Sequence, residues 1–162
     1  MNILKASFVS AVLALAVAPA FAATTSNTLG VKVTVTGVCH LTTPNTDVTF
    51  GTVPSTATNV EGTGTVKLKC TKGTTYNIGL DQGANGASVT SRLMKGAVDT
   101  LPYNLYLDSA RTKNWGTTIG TDTLAGTGAA GAAQEITVYG KLPAADVTAG
   151  DYTDTVNVTV TY

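Results

Sequence analysis

The chain has 162 residues, ten Lys plus Arg against ten Asp plus Glu, and charged side chains making up only 12% of it. With its basic residues scattered singly, it has no electrostatic footprint for nucleic acid or an anionic membrane surface. The length suits one compact domain and not two.

In chain order, Lys5 precedes an apolar run from Ala6 to Ala18, followed by Pro19 and the small-residue site Ala20-Phe21-Ala22. This pattern predicts a secretory signal over residues 1–22, cleaved after Ala22. The run is shorter than the roughly 20 apolar residues a membrane helix needs, and no later segment approaches that length. An exported protein without stable membrane insertion, beginning near Ala23, is expected.

Next comes Leu29-Gly-Val-Lys-Val-Thr-Val35, which alternates with the period of a strand. Leu29, Val31, Val33 and Val35 share one face; Gly30, Lys32, Thr34 and Thr36 share the other. A strand near an exposed terminus can pair with another chain, or it can be the first strand of its own domain. Thr36, Gly37 and Val38 alone separate it from Cys39. Export decides the reading of the two cysteines, because thiols pair in an oxidising compartment. Cys39 and Cys70 are expected to form a structural disulfide, contributing about 3 to 4 kcal/mol in the chain-entropy picture.

Alternating sets then recur at Val66-Leu68-Cys70, Tyr76-Ile78-Leu80, Leu101-Tyr103-Leu105-Leu107, Ile136-Val138 and Val156-Val158-Val160-Tyr162. Between them lie the turn-rich stretches Thr58–Gly64, Asp81–Gly86 and Ala125–Gly131, where Gly and Asn supply conformations that other residues resist. Ala129–Glu135 is Ala-rich but short and flanked by glycine, so a loop is expected there rather than a helix. The pattern predicts an all-β chain folded as an antiparallel β-sandwich. Asp151–Tyr162 is expected to be one long alternating strand, the last of the sandwich, bordering a groove of unpaired backbone, a state that invites association.

Other chemistry finds little support. His40 is the one histidine and has no second histidine with which to build a metal or nucleophile site. Asp81–Gly86 departs from a calcium loop, with Gly83 at the third ligand position and Arg92 at the twelfth. Glu61 and Glu135 are the only glutamates, the aspartates lie in or beside turns, and Gly-x-Ser-x-Gly is absent. No catalytic, cofactor or metal site is expected. The aromatic set Tyr103, Tyr106, Trp115, Tyr139 and Tyr152 could line a sugar-binding surface, although aromatics in a small sandwich more often fill its core.

Cys39, Phe50-Gly51, Cys70-Thr-Lys-Gly73 with Tyr76, Leu80-Asp-Gln-Gly83, Arg92-Leu-Met94, Leu101-Pro-Tyr-Asn-Leu-Tyr106, Trp115-Gly116, Tyr139-Gly140 and Gly150-Asp-Tyr-Thr-Asp154 occur in this order. On these landmarks the chain resembles the spore coat protein U domain family, the major subunits of archaic (Csu-type) chaperone-usher pili. The resemblance implies an incomplete immunoglobulin-like sandwich lacking its final strand. A periplasmic chaperone would fill the gap temporarily and the N-terminal segment of the next subunit permanently, a form of β-augmentation.

Carried onto this chain, the resemblance puts the donor-strand segment at 23–36 and the pilin domain at 37–162, with Leu29, Val31, Val33 and Val35 entering a neighbour's groove. Burying four branched aliphatic side chains at about 1.5 to 3 kcal/mol each is enough to hold a fibre together. The implied protein is a non-enzymatic subunit with identical neighbouring subunits, a periplasmic chaperone and an outer-membrane usher as partners. It would be exported through the periplasm into an extracellular pilus for attachment and biofilm formation. The alternatives are a secreted monomeric sandwich that binds carbohydrate, and a pilus-tip adhesin.

Overall fold

In the computed structural model, which describes residues 21–162, every regular element is a β-strand. The expected signal peptide at 1–22 lies outside the described residues except for Phe21 and Ala22. No helix among the described residues is long and apolar enough to cross a membrane. The chain divides after Thr34, and Val35–Tyr162 packs as one unit. Residues 21–34 join no strand.

The folded unit has nine strands: β1 (Cys39–Leu41), β2 (Thr46–Thr49), β3 (Thr58–Cys70), β4 (Thr75–Leu80), β5 (Arg92–Lys95), β6 (Thr100–Tyr106), β7 (Leu124–Thr127), β8 (Gln134–Ala144) and β9 (Val158–Thr161). They form two antiparallel sheets. The larger runs β1-β3-β8-β6-β5, with β2 also pairing β3; the smaller runs β7-β4-β9. The order β1-β3-β8-β6 follows the A-B-E-D sheet of an immunoglobulin-like sandwich, and β4-β9 follows C-F of its partner sheet. A second mark of that architecture precedes β9: the Tyr152 hydroxyl donates to the Thr148 carbonyl at 2.7 Å, four residues upstream. This is the tyrosine corner, which in such sandwiches stands at the start of strand F.

Alternation along each strand builds the core between the sheets. Val66, Leu68 and Cys70 of β3, Ile78 and Leu80 of β4, Leu101, Tyr103 and Leu105 of β6, and Val138 and Leu142 of β8 all point inward. The Cys39–Cys70 disulfide joins β1 to β3 at positions directly opposite each other in the ladder. Trp115 is fully buried, and its indole N–H donates to the Ile78 carbonyl at 2.8 Å.

The sequence expectation fails over Thr58–Gly64, which is not a turn but the first half of β3. Its glycines answer a packing need. A side chain on Gly62 would strike the Thr49 carbonyl and the Phe50 ring; one on Gly64 would meet the Thr46 carbonyl at 2.7 Å and Val48 at 2.8 Å. The segment carrying β2 thus folds close over the inner face of β3, and glycine makes room for it. The last strand is also shorter than expected, running Val158–Thr161, because the chain from Thr153 to Asn157 is still crossing from one sheet to the other. Leu107 likewise falls beyond β6. Of the expected loop at Ala129–Glu135, residues 130–132 form bends while Gln134 and Glu135 already belong to β8, and Ala125–Thr127 of the expected turn at Ala125–Gly131 lie in β7.

Candidate functional site

An inner strand and an edge strand of the smaller sheet differ in how well they bury the same kind of side chain. On β4, flanked by β7 and β9, Ile78 and Leu80 are buried. On β9 and just before it, Val156, Val158 and Val160 pack against the core yet stay only half-buried. The cause is topological: β9 pairs with β4 through Leu80↔Val158 to Asn77↔Thr161, and among the described residues it has no partner on its other flank. In a complete sandwich of this order, strand G occupies that flank.

The opposite wall is β1, the edge of the larger sheet, which among the described residues pairs with β3 alone. Cα atoms of β1 and β9 come within 8 Å of each other. The open side of the sandwich is therefore bounded by two edge strands, one from each sheet, above a partly covered apolar floor. Exposed edges of this kind are sites for strand addition. Chemically, the site offers main-chain donors and acceptors plus apolar sockets at alternate positions, which suits an extended segment with every second residue apolar.

The sequence-predicted donor residues are exposed. Leu29, Val31 and Val33 are exposed by 89%, 88% and 85%, and Val35 by 77%. They belong to no strand of the structure, whose first strand begins at Cys39.

The remaining candidate residues are accounted for structurally. His40 lies exposed on β1. Among the described residues, no group of three or more His, Cys, Asp and Glu side chains could hold a metal. The aromatic set does not gather on one surface, since Trp115 and Tyr103 are buried and Tyr106, Tyr139 and Tyr152 are half-buried. Tyr139 instead lies under the Arg111 guanidinium, 5.8 Å from ring centre to Cζ, and Arg111 is paired with Glu61 at 2.9 Å.

A polar cluster that no motif announced lies at the approach to β9. Asp81 accepts hydrogen bonds from the backbone N–H groups of Gly83 and Asn157, each at 2.9 Å, and from the Asn157 side-chain amide at 2.7 Å. Asp154 accepts from the Tyr103 hydroxyl at 2.6 Å, the Ala84 N–H at 2.9 Å and the Asn85 amide at 2.9 Å. Arg92 is completely buried, and its guanidinium donates to the carbonyls of Asp81, Val89, Leu80 and Trp115 at 2.7 to 2.9 Å. Burial pulls the Arg92 pKa down, while Tyr103 and three nearby aspartates oppose the change. The Asp-x-Gly and Asn signals of the 81–86 turn and the acidic residue in Gly150–Asp154 were visible in the sequence, but their partners lie about 70 positions away.

Comparison with known proteins agrees with this architecture. The Spore Coat Protein U domain matches residues 25–159. Protein U of Myxococcus xanthus is 35% identical over 181 aligned positions that take in the whole of both chains. In the crystal structure of the CsuC-CsuE chaperone-tip adhesion subunit pre-assembly complex, from archaic chaperone-usher Csu pili of Acinetobacter baumannii, one chain superposes with a TM-score of 0.58 and 25% identity. That match covers 80% of this chain and 40% of the solved one, so the present chain spans less than half the length of that relative. With the domain matched over residues 25–159 and the similarity to Protein U running end to end, the chain belongs to the spore coat protein U domain family.

Proposed function

We propose that this chain is a structural subunit, not an enzyme, that polymerises by donor-strand exchange into an extracellular chaperone-usher pilus. The observation that carries the reading is the unpartnered flank of β9 above half-buried Val156, Val158 and Val160. It is matched by the exposed alternating residues Leu29, Val31, Val33 and Val35. One feature needs an extended apolar-alternating segment; the other is such a segment. Placing the second in the first on a neighbouring copy satisfies main-chain groups and removes apolar surface from water at once.

The likeness to a subunit crystallised with its chaperone supports a periplasmic chaperone as a transient occupant of the same edge, with an outer-membrane usher directing the exchange. A repeating subunit fits better than a tip adhesin. A subunit with no neighbour ahead of it has no groove for an arm, and this chain carries one. The resulting fibre serves attachment and biofilm formation.

The test is gel electrophoresis of the assembled protein in dodecyl sulfate at rising temperature. A ladder of multiples that collapses to one band only after strong heating is expected. A lone monomer band at every temperature would refute the reading.

A further inference from the structure

The chain enters β9 by switching sheets. Thr153 still belongs with the larger sheet: Lys95 N–H on β5 donates to its carbonyl at 2.8 Å, and its own N–H returns to the Lys95 carbonyl at 3.1 Å. Five residues later Val158 pairs with Leu80 in the smaller sheet. Between these points Asn157 meets Asp81 through three bonds. Its N–H and its side-chain amide donate to the two carboxylate oxygens, and its carbonyl accepts from the Asp81 N–H at 3.2 Å. Asp81 is itself held from behind, because buried Arg92 grips the carbonyls of Leu80 and Asp81.

This contact reads one particular residue. A slip of β9 by one position would bring Val156 or Val158 opposite Asp81, neither with a side-chain donor; a slip by two would bring a threonine with one hydroxyl. A one-residue slip would also turn Val156, Val158 and Val160 out of the core, because side chains alternate faces along a strand. An interior strand is kept in register by two neighbours, whereas among the described residues β9 has β4 alone.

We propose that Asp81 and Asn157 are the register pair of the acceptor strand, holding β9 in the one alignment that an incoming donor segment can complete. The proposal rests on the donor-strand reading and extends it to residues outside both the donor face and the groove. A strand held in register before binding need not be ordered at the moment of binding, so the pair acts chiefly on the rate of donor capture.

The experiment uses the dilute full-length protein and an excess of fluorescein-labelled synthetic peptide of residues 24–36, with capture followed by anisotropy. Asp81→Asn sets an amide N–H₂ against the Asn157 amide N–H₂, and capture should slow by about tenfold, the scale of one charged hydrogen bond. The exchanged pair Asp81→Asn with Asn157→Asp restores an amide-to-carboxylate bond and should return the rate to within about twofold of wild type. A general loss of stability would not be rescued in that way. Hydrogen exchange of the Val158–Thr161 amides, compared with those of β3, should quicken in Asp81→Asn and recover in the exchanged pair.

Unchanged capture and unchanged β9 exchange in Asp81→Asn would overturn the proposal, as would failure of the exchanged pair to recover either. If Asp81→Asn does not fold, Asn157→Ala removes just the side-chain bond, and equal capture by that variant overturns it too. If wild-type protein captures no peptide, the donor-strand reading falls, while β9 exchange still decides whether the two residues set the register.

Discussion

Asp81 shows how a single carboxylate responds to opposed influences. Burial works to raise its pKa, but hydrogen bonds from the Asn157 side chain and from the Gly83 and Asn157 amides, aided by the Arg92 charge, outweigh this and hold it below the ordinary 3.8. A carboxyl whose folded value is depressed contributes stability that is present above the unfolded value and is lost as pH falls through the folded one. The melting temperature should therefore drop as the solution is acidified below about pH 4, and Asp81→Asn should make that drop shallower. Asp108, lowered by hydrogen bonds from nearby Lys113 and Thr112, and Asp99, lowered by hydrogen bonds from distant Thr148, retain part of the slope. An equally steep profile in the variant would contradict this assignment. Tyr103 moves the other way: burial first, then its bond to Asp154, raise its pKa, so it stays a neutral donor. In the sequence Arg92 stood out only as part of Arg92-Leu-Met94 and as the misfit at the twelfth position of a calcium loop, with nothing to mark it as buried. A fully buried arginine runs against the usual rule for charged residues, and it is tolerated here because four carbonyls from three separate segments converge on it.

At the scale of elements, the period-two pattern located the cores of β3, β4, β6, β8 and β9 well, because alternation is enforced wherever one face is buried. It misjudged Thr58–Gly64, where glycines that resemble turn signals relieve crowding under the Thr46–Phe50 segment. The same periodicity underlies the donor assignment, which Val33→Asp tests. A charge forced into a dry groove with no partner costs several kcal/mol, so this variant should fold and accept a wild-type arm but fail to extend a chain by its own arm. Purified alone, it should give no ladder on the gel. Ladders equal to those of wild type would remove Val33 from the donor face.

For the whole molecule, the chain enters the sandwich through a short edge strand. β1 is three residues long and among the described residues pairs with β3 alone, and the Cys39–Cys70 disulfide ties it there. Replacing both cysteines with serine should lower the stability of the monomer by about 3 to 4 kcal/mol, seen as a reduced melting temperature and a lower periplasmic yield. Unchanged yield and melting would show that the bridge has little part in the fold. The bridge also lies four positions from Val35, so β1 is anchored close to where the proposed donor arm begins.

Much of this was written into the amino-acid order: strand content, the Cys39–Cys70 pair and the alternating arm follow from local pattern, and export is the expectation that the same order raises. The arrangement of β9 did not. That β9 borders an open flank, that Val156, Val158 and Val160 stop at half-burial, and that Asp81 meets Asn157 across 76 positions depend on which strands lie side by side. Periodicity states which face of a strand is apolar. Only the packing of the two sheets decides which of those faces is left without a neighbour.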